Sequence, residues 1–78
     1  MAERHAKIIL DLSGLLCPLP VLKAAKRLKA MAPGEVLELI ATDPMTAIDV
    51  PHFCSEQGHN LLSQDRMGEG FVFRIARR

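Results

Sequence analysis

Apolar and polar positions alternate near the start of the chain. Ile8, Leu10 and Leu12 fall on one side of an extended segment, and Lys7, Ile9 and Asp11 on the other. This period of two predicts a strand over 7–12, which Ser13-Gly14 ends. The period then lengthens. Val21, Ala24, Ala25 and Leu28 recur at i, i+3, i+4 and i+7, predicting a helix from about Pro18 to Met31 with one face inward. Pro18 suits the first helical position, and Pro20 is tolerated within the first turn. Pro33-Gly34 stops the helix. The apolar run Val36-Leu37 and Leu39-Ile40-Ala41 predicts a central strand over 35–42, followed by a turn at Asp43-Pro44. A second helix opens with Asp49 as its N-cap, which puts Pro51 harmlessly in the first turn. Its inward stripe is Val50, Phe53, Cys54 and Gln57, and Gly58 is its stop. Two further strands, Asn60–Met67 and Phe71–Ala76, are joined through Gly68-Glu69-Gly70, with Phe71, Phe73 and Ile75 on one face.

The element order is therefore β-α-β-α-β-β. With crossovers of one hand, both helices cover the same side of the sheet. The expected fold is an α/β (α+β) two-layer sandwich with a four-stranded mixed sheet and two helices on one face. A chain of 78 residues makes one domain, 1–78, close to the lower size for folding without staples.

The balance of residues is that of an ordinary globular protein, with 49% hydrophobic and 24% charged. The net charge of +1 is uninformative, but its distribution is not. From Leu12 to Gly34 the charges are Lys23, Lys26, Arg27 and Lys29, whereas from Glu35 to Asp65 all are acidic. Such segregation steers a charged partner toward one side. The basic residues lie mostly off the apolar face of the first helix and read as a solvated face or a docking surface. There is no Trp or Tyr, and the three Phe fit the core, which argues against direct nucleic-acid binding through stacked bases.

Two cysteines, Cys17 and Cys54, are too few for the framework of a small secreted domain. The first residues lack a long apolar signal region, and no stretch is long enough to span a bilayer. The expectation is a cytoplasmic protein, free of the membrane, with both thiols reduced. His52, Cys54 and His59 match no common zinc spacing, so no metal is expected.

Cys17 stands where the first loop meets the first helix, in Leu16-Cys17-Pro18-Leu19-Pro20. Unpaired N–H groups and the helix dipole at such a position favour a thiolate, so the expected thiol pKa is lowered. The prolines stiffen the first turn and help aim the sulfur. The competing reading is a small buried hydrophobe. Cys54, beside Val50 and Phe53, reads as core packing, with a resolving thiol as the alternative.

The string Asp11-x-x-Gly14-x-x-Cys17-Pro18-x-Pro20 resembles the signature of the TusA family of sulfur carriers, also called SirA-like proteins. The likeness continues through Gly34, Asp43-Pro44, Asp49 and Gly58-His59, and covers about Ile8 to Ile75. The resemblance implies that Cys17 carries sulfur as a persulfide. A cysteine desulfurase or a rhodanese would be the donor, and a downstream protein the acceptor. The family's pathways include tRNA 2-thiolation, molybdenum cofactor supply and sulfur oxidation. Thiolate-driven exchange of this kind needs no cofactor. The reading is of a protein substrate in a relay rather than an enzyme with its own turnover, and a monomer is expected when it is free.

Asp11, Gly14, Pro18 and Pro20 support the motif. Gly14 is expected to allow a left-handed turn, Asp11 to bond loop N–H groups, and Asp43 and Asp49 to cap turn and helix. Two rivals remain from the residues: a thiol redox protein pairing Cys17 with Cys54, and a non-catalytic regulatory interaction module in which Cys17 packs.

Overall fold

The computed structural model describes residues 8–78. Its elements are β1 (Ile8–Leu12), α1 (Leu19–Lys29), β2 (Val36–Ala41), α2 (Thr46–Gln57), β3 (Asn60–Met67) and β4 (Gly70–Ala76). Lys7, which the alternation assigns to the first strand, lies outside the described residues. The sheet order is β1-β2-β4-β3. β1 and β2 are parallel because α1 carries the chain back between them, and β4 is antiparallel to both β2 and β3.

The period-two pattern propagates across the sheet. Ile8, Leu10 and Leu12 stand opposite Leu37, Leu39 and Ala41. Those in turn stand opposite Ile75, Phe73 and Phe71. Ala24 and Leu28 of α1 and Val50 and Cys54 of α2 pack into the same cluster, so both helices cover one face. Leu28, Leu37, Leu39 and Phe73 are fully buried, which contributes roughly 1.5–3 kcal/mol for each side chain. The two-layer α+β architecture is the one the sequence predicts.

The helix boundaries differ from the pattern, for local reasons. α1 begins at Leu19, with Pro18 just outside as its N-cap. It ends at Lys29, where Ala30 N–H turns to the Arg27 carbonyl. Met31 is still buried, beyond the helix end. α2 begins at Thr46, so Asp49 is not its N-cap but lies one turn inside. Asp43 performs the work expected of Asp49. Its Oδ1 accepts Met45 N–H at 3.1 Å. Its carbonyl accepts Thr46 N–H at 3.0 Å and Thr46 Oγ1 at 2.6 Å.

The earlier start places Pro51 within the helix, where it supplies no N–H to the Ala47 carbonyl four residues back. Gln64 of β3 donates its Nε2 to that carbonyl at 3.3 Å. A helix that would otherwise leave an acceptor unpaired is thereby repaired by a neighbouring strand. At the other end of the sheet, Met67 faces Gly70 across a two-residue turn. A Cβ at Gly70 would sit 2.8 Å from the Ala41 carbonyl. Glycine is what lets β4 start this close to the end of β2.

Candidate functional site

Parallel pairing sets Leu12 beside Ala41, so the loops leaving β1 and β2 emerge side by side at the same edge. Loops at the carboxyl ends of parallel strands are where α/β sheets commonly build their sites. The first of these loops carries Cys17. Asp11 Oδ1 accepts the N–H of Ser13 at 3.0 Å and its Oγ at 2.6 Å. The Ser13 hydroxyl first, and its N–H second, hold the Asp11 carboxyl below the usual carboxylate range. Asp11 thus shapes the first turn of the loop, and its bonds stop at Ser13. Gly14 has φ of 85°, a conformation L side chains rarely adopt. Its N–H donates to Thr42 Oγ1 at 2.8 Å, tying the loop to the end of β2.

Cys17 itself is exposed. Two aspartates from the second loop and helix hold it from different sides. Its backbone N–H donates to Asp43 Oδ2 at 2.6 Å, and its Sγ donates to Asp49 Oδ2 at 2.8 Å. Asp43 is 9% exposed. One carboxylate therefore joins the Cys17 loop to the start of α2, since its other oxygen holds Met45 N–H. Pro18 lines the groove beside the sulfur, whereas Pro20 is buried and anchors α1 to the core. That groove, about 300 Å³ in volume, runs between α1 and α2 and is also lined by Val21, Asp49, His52, Phe53 and Glu56.

The expected lowering of the Cys17 pKa is overturned. The thiol is held above its ordinary value. The Asp49 hydrogen bond is the largest cause, followed by lost hydration and then by the negative charges of Asp49 and Asp43. The helix cannot counter this strongly. Of the four leading N–H positions, 18–21, Pro18 and Pro20 have none and Leu19 N–H is committed to the Leu16 carbonyl. The prolines that stiffen the turn also remove donors that would favour a thiolate. Composition alone did not reveal the two carboxylates. Asp43 and Asp49 were legible as capping residues, but their convergence on Cys17 needs the parallel pairing of β1 and β2.

Cys54 is 2% exposed in the core. Burial pushes its thiol up to about 11. His52 is exposed on α2, its Nε2 3.8 Å from Glu56 Oε2. His59 packs against Phe53 with ring centroids 5.7 Å apart. Among the described residues no group of three or more His, Cys, Asp or Glu is placed to hold a metal ion. Among them also, no helix is long and apolar enough to cross a membrane.

Fold and site define a small α+β domain that displays one thiol at the edge of its sheet and buries the other. Comparison with known proteins places this layout. Residues 8–77 match the family described as Sulfurtransferase TusA. The chain is 47% identical to the sulfur carrier protein TusA of Allochromatium vinosum, over 85% of this chain and 87% of that one. It is 40% identical to the TusA of Pseudomonas aeruginosa PAO1, over 90% and 89% of the two chains. With the TusA of Pseudomonas putida KT2440 the identity is 41%, over 100% and 98%. The chain belongs to the TusA family of sulfur carriers.

Proposed function

We propose that this chain carries sulfane sulfur as a persulfide on Cys17, between a donor and an acceptor protein. The observation that carries the reading is the contrast between the two thiols: Cys17 is exposed and anchored by its own N–H, and Cys54 is enclosed in the core. The donor would be a cysteine desulfurase or a rhodanese. Cys17 attacks the outer sulfur of the donor persulfide, and an acceptor cysteine later attacks the outer sulfur now on Cys17. The acceptor pathway would be tRNA thiolation, molybdenum cofactor assembly or another branch of sulfur metabolism. Reduced thiols suit the cytoplasm as its compartment.

Large exposed apolar side chains support a role in protein-to-protein transfer. Leu16 and Leu19 flank Cys17, and Met45 and Ile48 lie beside the two aspartates. A cluster of this kind at a reactive residue suits contact with another protein. The loop that holds the sulfur leaves it open to a partner's cysteine.

Intact-protein mass spectrometry after incubation with a cysteine desulfurase and cysteine tests the reading. The native and Cys54→Ser proteins should gain a reductant-labile sulfur, and Cys17→Ser should not. Failure of the native chain to gain sulfur from either a desulfurase or a rhodanese would refute it.

A further inference from the structure

Sulfur exchange spreads negative charge over three sulfurs as one S–S bond forms and another breaks. The site is oddly prepared for this, because a carboxylate oxygen of Asp49 lies 2.8 Å from the attacking sulfur. A second carboxylate, Asp43, sits on the backbone of the same residue. Along the groove that opens from Cys17, the charged side chains are Asp49 and Glu56, with His52 the one basic group, directed at Glu56. No lysine or arginine lines that groove to offset an anion at the sulfur. The arrangement suits a stored thiol, S–H donating to carboxylate, better than a nucleophile at rest.

We propose that Asp49 is a proton latch and a specificity-determining residue: it keeps Cys17 protonated in the free carrier, and it is released by a partner that sets a cationic side chain against its carboxylate. The inference rests on the persulfide reading for the reaction it regulates. Once the carboxylate is paired with an ammonium or guanidinium, the Cys17 proton leaves to water. The thiolate attacks the outer sulfur of the donor persulfide. A new S–S bond forms to Cys17 as the donor's S–S bond breaks, and the donor's inner sulfur departs as a thiolate that takes a proton from water. One sulfane sulfur moves, one proton is released and one taken up, and no oxidant or reductant enters. A partner without the cation meets a protonated sulfur next to an unscreened carboxylate. The latch therefore selects among partners and spares the free carrier from adventitious thiol chemistry.

The carboxylates that act on the sulfur are Asp49 of α2 and Asp43 from the turn before it, and the other titratable groups along the groove are His52 and Glu56 of α2. The free protein is alkylated with neutral iodoacetamide across a range of pH, comparing the native chain with Asp49→Asn and Asp49→Glu, each checked for folding by thermal melting. In Asp49→Asn the midpoint of the profile should move to lower pH, and the rate near neutral pH should rise several-fold. Asp49→Glu should restore much of the native profile.

Two charged reagents then probe the release. On the native chain, aminoethyl methanethiosulfonate, which brings its own ammonium, should react faster than the sulfonatoethyl reagent. The ratio should fall several-fold in Asp49→Asn. Superimposed alkylation profiles for native and Asp49→Asn would overturn the latch. A shifted profile with an unchanged reagent ratio would overturn release by a cation. These readouts need no sulfur donor. A native chain that shows them and yet takes up no sulfur would refute the carrier reading and leave the latch in place.

Discussion

Cys17 and Cys54 are the same side chain in two settings, and both thiols sit above their ordinary value. The causes differ. Cys54 is raised because the core cannot solvate a thiolate, and nothing short of unfolding changes that. Cys17 is raised chiefly by a hydrogen bond to one carboxylate at the surface. A partner can cancel a single surface charge, but it cannot hydrate a core. An elevated thiol pKa is thus a permanent property in one place and an adjustable one in the other.

Reaction with a small alkylating agent should separate the two thiols most sharply. In the native protein Cys17 should be modified and Cys54 protected. Cys54 labelling should rise with denaturant in step with loss of the fold, read by peptide mass mapping. Labelling of Cys54 at the Cys17 rate in the folded protein would show that the core does not shield it. The next largest effect is on stability. Cys54→Ser buries a hydroxyl in an apolar cluster and should lower stability by about 1–3 kcal/mol, measured by denaturant unfolding. Cys17→Ser should leave the denaturation midpoint unchanged.

Asp43 and Asp49 should part in the same way. Asp43→Ala leaves the N–H groups of Cys17 and Met45 without their acceptor. A loss of about 2 kcal/mol is expected, seen as a fall in melting temperature. Asp49→Asn should alter sulfur reactivity without a comparable melting change. Equal destabilisation by both would mean that Asp49 serves the fold rather than the sulfur. The smallest effect belongs to Asp11. Its carboxyl is held low in the folded protein, so the stability it adds is full above the ordinary carboxylate pKa of the unfolded chain. That stability is lost as pH falls through the lowered folded value. Asp11→Asn should lose that small stabilisation at neutral pH, flatten the acid side of the stability profile, and match the native protein below the lowered folded value, read as melting temperature against pH.

Much of the molecule follows from local pattern. Alternation in Ile8–Leu12 and Phe71–Ala76 marks strands because successive side chains point to opposite faces. The spacing of Val21, Ala24 and Leu28 marks a helix because it repeats at the helical period. Cys17, between Gly14 and two prolines, was legible as the candidate site from the chain alone. What the sequence could not determine is what depends on neighbours far along the chain. α2 starts at Thr46 and keeps Pro51 inside it, because Gln64 from β3 takes the carbonyl that Pro51 leaves open. The state of Cys17 depends on residues 26 and 32 positions away, Asp43 and Asp49. Only the parallel pairing of β1 with β2 brings those carboxylates to the sulfur. Periodicity reports which face a residue takes, through forces that act within a turn or a strand. Charge and hydrogen bonding at a site act through space, between loops that meet only when the sheet has assembled.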